Sequence, residues 1–298
     1  MTSKKTNING VLLFNKPIGI SSNNALQKIK YLFNAKKAGH TGTLDPLATG
    51  LLPICFGEAT KFSSFLLDGN KEYIATIKLG ETTTTYDAEG DITSTTVVNV
   101  SPTEIINTVN SFLGKQIQTP PIYSALKLNG KALYEYARNG IVVNIKSREV
   151  EFYELEILEF LENNQFKIRV LSSKGTYIRS LAHDIGQVLG CGAHLSGLIR
   201  TKTNSFNLNE QLTLDHLQSL NSEELLSKLL PTDVLVRIIP TLEISDMQFN
   251  KIKFGNAFLL SSPITEVDEV VRLYHNGIFL GIAHVTGCKV KPERLVCL

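Results

Sequence analysis

The chain has 298 residues, 43% of them hydrophobic and 19% charged, with a net charge of only +2. This is a globular protein with a real core, long enough for one large domain or two smaller ones, and its bulk charge does not by itself announce a nucleic-acid partner. The four cysteines form no CxxC pair, which argues against a zinc site or a disulfide framework and fits a reducing, cytoplasmic setting. No stretch is long enough to span a bilayer, and the apolar run Val11–Phe14 is too short for a signal peptide.

Charge is unevenly spread. Residues 1–67 hold eight lysines against two acids, Asp45 and Glu58. That segment either meets a phosphate-bearing substrate or is a solvated lysine-rich face. Gly10–Phe14 reads as a short buried strand that ends in a Lys16-Pro17-x-Gly19 turn. Ser21 or Ser22 then caps a helix whose apolar face is Leu26, Ile29, Leu32 and Phe33.

The next stretch, GHTGTLDPLATGLLPICFGEATK from Gly39 to Lys61, carries the densest punctuation in the chain. Its first half reads as a loop, in which Gly39, Gly42 and Gly50 permit unusual backbone angles and Pro46 pushes Asp45 toward an extended conformation. Leu51–Phe56 is apolar and reads as buried. On residues alone, Asp45 is either a turn-forming carboxylate or a rigidly held nucleophile or general base. His40 is by itself more simply a hydrogen-bonding loop histidine.

Lys71–Leu79 alternates as a half-buried strand with Tyr73, Ala75, Ile77 and Leu79 on one face, where Tyr73 alone reads as a packing residue. The Thr-rich segment around Asp87 and Gly90 reads as a hairpin or surface loop, with no chemistry assigned. Ser101-Pro102-Thr103-Glu104 is a capping box that opens a helix. Residues 120–148 carry five basic residues against one acid, interleaved with Tyr123, Tyr134 and Tyr136, and include a short helix from Ala132 to Arg138. They suit RNA phosphates and unstacked bases, or form a helical excursion packed on the sheet.

Residues 149–164 hold six glutamates and no base, and the following strand has basic residues at alternate positions, so the two read as an antiparallel pair on a face away from RNA. Gly175 ends that strand, and a helix follows to Gly190, with Arg179 at the junction, where a guanidinium could hold Asp45 in a bidentate pair. The alternative is a surface arginine and a packing Tyr177. Residues from Asn207 to about Thr241 read as helical. Beyond them come short strands at Val270–Tyr274, Ile278–Val285 and Leu295–Leu298, with an Asn276-Gly277 hairpin.

The long Gly39–Lys61 run resembles the signature of the TruB family of tRNA pseudouridine-55 synthases. The NKPIGISSNNAL segment, the Tyr73-x-Ala75 pattern, SKGTYIRSL from Ser173 and the His194–Thr201 segment are also similar to it. Two positions depart from the pattern: Ile199 stands where a base is usual, and Asn204 where glycine is usual. The resemblance implies an α+β fold: a pseudouridine synthase-like catalytic domain with a large mixed, mostly antiparallel sheet and flanking helices over residues 1–241. A small β-rich PUA-like C-terminal domain would occupy 242–298, and the 120–148 insertion would grip RNA.

It further implies isomerisation of the T-loop uridine of tRNA without any cofactor or metal, by a monomer with no protein partner. Asp45, Tyr73 and Arg179 would be catalytic. His40, Tyr73, Tyr177 and Leu198 would contact the uridine or its loop, and Lys16 and Pro17 would support the site. A tRNA-binding folding factor and a pseudouridine synthase with another RNA target remain the alternatives.

Overall fold

The computed structural model describes residues 5–207, 212–263 and 265–297. Two sheets organise them. The larger has nine strands, and its main path runs β1-β3-β12-β4-β11-β10-β7. In chain order it is built from β1 (Gly10–Lys16), α1 (Ser22–Leu32), β2 (Ala38–His40), β3 (Ala48–Phe56), α2 (Ser64–Leu67) and β4 (Lys71–Leu79). A small hairpin, β5 (Glu81–Thr83) and β6 (Ile92–Thr95), leads to α3 (Pro102–Ser111) and β7 (Gly114–Gln118). The insertion holds a second hairpin, β8 (Lys127–Leu128) and β9 (Lys131–Ala132), and α4 (Leu133–Arg138). The chain returns through β10 (Arg148–Leu161), β11 (Gln165–Ser172), α5 (Ile178–Val188), β12 (Ala193–Thr203) and β13 (Phe206–Asn207).

Two short helices, α6 (Leu214–Ser219) and α7 (Ser222–Ser227), precede the smaller sheet. That sheet takes β14 (Thr241–Glu243), β15 (Phe258–Leu259), β16 (Thr265–His275), β17 (Ile278–Gly287) and β18 (Lys289–Leu295), with α8 (Asp246–Ile252) beside it. Among the described residues no helix is long and apolar enough to cross a membrane.

The apolar runs of β1 and β3 follow from burial on both faces. Leu12, Phe14, Leu52, Ile54 and Phe56 enter the main core with α1 and α5. Val11, Leu13, Leu51 and Cys55 point the other way, into a second core shared with Phe62, Val234–Val236 and Ile282 of the smaller sheet. Strands farther along the sheet bury one face and alternate. In the β10–β11 pair Glu156 faces Arg169 and Glu159 faces Lys167, each joined by an ion pair, as the charge pattern anticipates. The capping box at Ser101–Glu104 forms, and Asn276 and Gly277 both take left-handed angles in the β16–β17 turn.

Three expectations change. Gly39 and His40 pair in β2 with Cys55 and Ile54, so the loop is confined to residues 41–47. Gly39 has no left-handed angle, whereas Gly42 and Gly50 do, at φ +97° and +101°. The last strand is Lys289–Leu295 rather than Leu295–Leu298, where residue 298 lies outside the described set. The charged KVKPERL pattern hides it. Its Pro292 is tolerated because β15 covers only Lys289 and Val290 on the other side.

The seam of the sheet is β12. It runs parallel to β3, setting Leu198 beside Ala48 and Arg200 beside Gly50, and antiparallel to β4, setting Leu198 beside Ala75 and Arg200 beside Tyr73. A Cβ on Gly50 would lie 2.4 Å from the Arg200 carbonyl oxygen, against backbone that has no room to move. Gly50→Ala should therefore cost at least about 2 kcal/mol of stability through strain and overpacking. Gly39→Ala, with nothing within 4 Å of the added Cβ, should stay within about 0.5 kcal/mol. Urea denaturation of the two variants measures the difference.

Candidate active site

Asp45 sits in the loop between β2 and β3, and that loop is clamped from both sides. Ser22, first residue of α1, accepts from the Leu44 N–H at 2.7 Å and donates to the Leu44 carbonyl at 2.8 Å. Lys16, fully buried at the end of β1, donates to the carbonyls of Ile20 (2.7 Å), Pro17 (2.9 Å) and Pro46 (3.4 Å). The Gly19 N–H reaches Pro46 O at 2.9 Å, and the Ala48 N–H reaches Asp45 O at 3.0 Å. Asp45 is thus carried on backbone pinned at residues 44, 46 and 48.

Arg179 comes from the first turn of α5, one residue inside the helix rather than at the junction itself. Its side chain is 5% exposed. Nε lies 2.9 Å from Asp45 Oδ2 as an ion-pair contact, and Nη2 donates to Oδ1 at 3.3 Å. The remaining donors go to Tyr123 O (2.9 Å) and Thr85 O (3.2 Å), and Nη1 is 3.4 Å from Asp87 Oδ2. Asp87 is buried and held in turn by the Thr85 hydroxyl at 2.5 Å and the Glu89 N–H at 3.0 Å, both on Oδ1. Burial raises the Asp45 pKa above the ordinary carboxylate value. Arg179 and Lys16 pull it back, and Asp87 adds a like-charge push upward.

A cleft of about 400 Å³ opens over Asp45. Tyr73 from β4, Tyr177 at the start of α5, Leu198 from β12 and Arg179 all line it, together with Leu44, Leu67, Leu126 and Ile178. Tyr177 is fixed by Gln118 of β7, whose side chain accepts from its N–H at 2.8 Å and donates to its carbonyl at 3.0 Å. The structure therefore brings five of the anticipated residues, Asp45, Tyr73, Tyr177, Arg179 and Leu198, into one cavity. His40, Lys16 and Pro17 lie outside the lining. His40 ends β2 with Nδ1 buried and without a hydrogen-bond partner, and burial, with Arg200, lowers its pKa.

Sequence reasoning missed several residues. Asp87 lies in the Thr-rich loop to which the sequence assigns no chemistry, and its burial shows only in the structure. Arg200 is fully buried, donating to Leu51 O (2.7 Å) and Gly42 O (3.1 Å), and lines the cleft floor. Lys71 and Arg148 also line it.

The arrangement is a carboxylate held by a buried guanidinium beneath aromatic and aliphatic walls wide enough for a flat ring. Solved structures share the whole frame. An H/ACA ribonucleoprotein bound to a substrate RNA containing 2'-deoxyuridine superposes with a TM-score of 0.73 at 25% identity, covering 97% of this chain and 85% of that one. A Cbf5–Nop10–Gar1 complex gives 0.72 at 27% identity, over 96% and 84%. Fold and comparisons together define an enzyme of the pseudouridine synthase class.

Residues 30–178 match the model of the TruB family pseudouridylate synthase N-terminal domain. Residues 179–237 match the tRNA pseudouridylate synthase B C-terminal domain, and 240–296 the C-terminal model of pseudouridine synthase II TruB. The chain is 46% identical to tRNA pseudouridine synthase B of Haemophilus influenzae (strain PittEE), over 97% of this chain and 95% of that protein. It is 47% identical to the protein of that name from Francisella philomiragia subsp. philomiragia (strain ATCC 25017), over 99% and 97%. The chain belongs to the TruB family of pseudouridylate synthases.

Burial lowers the Lys16 pKa to about 8 from an ordinary 10.5. Between those values the unfolded chain keeps a proton that the folded chain has lost, so this group makes stability rise with pH across that window. In Lys16→Met that part of the rise should vanish. Unfolding free energies of both proteins at pH 8 and pH 10 test it.

Proposed function

We propose that this pseudouridine synthase acts on the T-loop of tRNA and converts uridine 55 to pseudouridine, with Asp45 attacking the nucleotide or assisting glycosidic cleavage. The observation that carries the reading is the bidentate approach of Arg179 to Asp45 on the floor of a cleft walled by Tyr73, Tyr177 and Leu198. The reaction breaks the N1–C1′ bond, turns the uracil and forms C5–C1′, while the C5 proton leaves and N1 regains one. No atom is imported and no electron is exchanged, so side chains suffice.

The target must leave its stack to reach Asp45, because the carboxylate lies within the cleft among Tyr73, Tyr177 and Leu198. Arg179 holds Asp45 oriented and favours its charged form against burial. Tyr73 stacks on the base, and Tyr177 and Leu198 close the walls. His40, outside the cleft, carries a neutral imidazole suited to fill the space the uridine vacates. Lys16 and Pro17 keep the loop rigid.

In this reading residues 1–241 form the catalytic domain, with 120–148 gripping the RNA stem-loop, and residues 242–298 form a PUA-like appendage. Every group used lies on one chain, so the reading needs no protein partner and no membrane. A cleft that unites Asp45, Tyr73 and Arg179 favours an enzyme over a binding-only folding factor.

Tritium release from tRNA carrying 5-tritiated uridine tests the function. The native protein should release tritium, and Asp45→Asn should release none while still binding tRNA. Undiminished release by the variant would overturn the role of Asp45. Arg179→Lys, which loses the two-point hold, should lower the single-turnover rate by about a hundredfold or more with binding little changed.

The pH profile provides a separate check. Because the Asp45 pKa is raised, activity should fall on acidification at a pH above the ordinary carboxylate value of about 4. Asp87→Asn removes a like charge, so its acid limb should move to lower pH.

A further inference from the structure

We propose that Arg148 is the residue that receives an RNA phosphate flanking the extruded uridine, at the mouth of the Asp45 cleft. The inference rests on the function proposed above and adds the group that holds the substrate backbone. A cleft of this size, walled by aromatic and aliphatic side chains, admits a base but leaves its flanking phosphates at the rim. Some cation at the rim has to meet that charge.

The other cations of the cleft are already committed. Arg179 serves Asp45 and Asp87. Arg200 donates to Leu51 O and Gly42 O. Lys71 donates to Leu67 O and Gly69 O, each at 2.6 Å. Arg148 differs. One Nη donates to the Gly175 carbonyl, and among the described residues the guanidinium makes no other hydrogen bond and no ion pair. Among the described residues no carboxylate pairs with Arg148, although Glu149 follows it in the chain. Glu149 turns instead to Lys115, at 3.1 Å.

The position of Arg148 fits the task. Its guanidinium carbon lies 5.0 Å from the centre of the Tyr177 ring, and that of Arg179 lies 6.0 Å from the same ring. Arg148 thereby stands against the Tyr177 wall of the cleft. It also lines a second hollow of about 480 Å³ that shares Leu67, Arg148 and Gly175 with the active cleft. Two glutamates line that outer hollow, Glu149 and Glu151, so a phosphate is favoured on the cleft side, at the Nη donors of Arg148 not given to Gly175. Arginine suits such a site because its fork donates twice to one phosphate.

The test uses a T-arm RNA whose phosphate on the 5′ or the 3′ side of the target uridine is replaced by a neutral methylphosphonate. For the native protein, one of these linkages should weaken binding about tenfold. For Arg148→Gln the all-phosphate RNA should already bind about tenfold more weakly, with a salt slope shallower by about one contact, and the neutral linkage should cost nothing more. Arg148→Lys, which keeps the charge, should recover most of the salt slope and guards against a variant that merely misfolds. Losses that multiply at both linkages, or an unchanged salt slope in Arg148→Gln, would overturn the assignment. Failure of the function itself would appear differently, as no pseudouridine formed in all-phosphate RNA by the native protein.

Discussion

The buried guanidinium of Arg179 is the constraint on which the site depends. A charge taken out of water is costly unless it is paired and its donors are used, and here the charge faces two carboxylates while both Nη groups donate to parts far apart in the chain. Asp45 comes from the β2–β3 loop, Asp87 and Thr85 O from the β5–β6 turn, and Tyr123 O from the root of the insertion. Displacing any one leaves the others facing an uncompensated charge. The same geometry explains the upward pKa of Asp45. Burial raises it first, Asp87 adds a like-charge push, and Arg179, which faces both carboxylates, only partly offsets the two. An acid set this way sits closer to its protonated form than a solvated aspartate would.

The scaffold holds this network by making the backbone around it immobile. β12 is paired on both sides, parallel to β3 and antiparallel to β4, and so fixes Leu198 and Arg200 against the two strands that flank the cleft. Gly50 lets the Arg200 backbone come close enough for that pairing. The insertion is tied in at its root, where Ser180 of α5 donates to Thr119 O at 3.0 Å and Gln118 brackets Tyr177. The helix that supplies Arg179 is therefore the same one that anchors the root of the 120–148 excursion. A shift in the insertion would be felt first at Tyr123 O, and through it at the guanidinium.

How much of this could be read from residues alone depended on range. Local rules worked where the cause was local: the period of β4, the capping box at Ser101 and Glu104, the Asn276-Gly277 turn, the Glu rows facing Lys and Arg. The Asp45–Arg179 pair joins positions 134 residues apart, and no spacing rule encodes such a contact. The residues offer the pair only as one of two alternatives, and the resemblance decides between them. Asp87 was passed over because a Thr-rich turn with an acid is usually solvated, and nothing local says that this acid is buried. Arg200 was passed over because a charge in an apolar strand looks like an edge residue until β3 and β4 enclose it. β18 was misplaced because its proline and charges imitate a loop, and only the partner strands on either side show which backbone donors it can do without.

The charge distribution completes the picture of a nearly neutral protein that handles a polyanion. Acidic strands pair off internally, as in the β10–β11 rungs, so they cancel without forming a broad repulsive face. Most cations inside the cleft are spent on backbone carbonyls and on Asp45 and Asp87, which serves the geometry of the site more than attraction. Attraction must then come from the basic segment before residue 67, from the insertion and from the rim. Such a division leaves Arg179 as the main cation acting on Asp45, whose pKa a crowd of free cations would lower further. It also leaves the cleft itself few free cations with which to meet a phosphate, since Arg200 and Lys71 are spent on backbone carbonyls and Arg179 on Asp45 and Asp87.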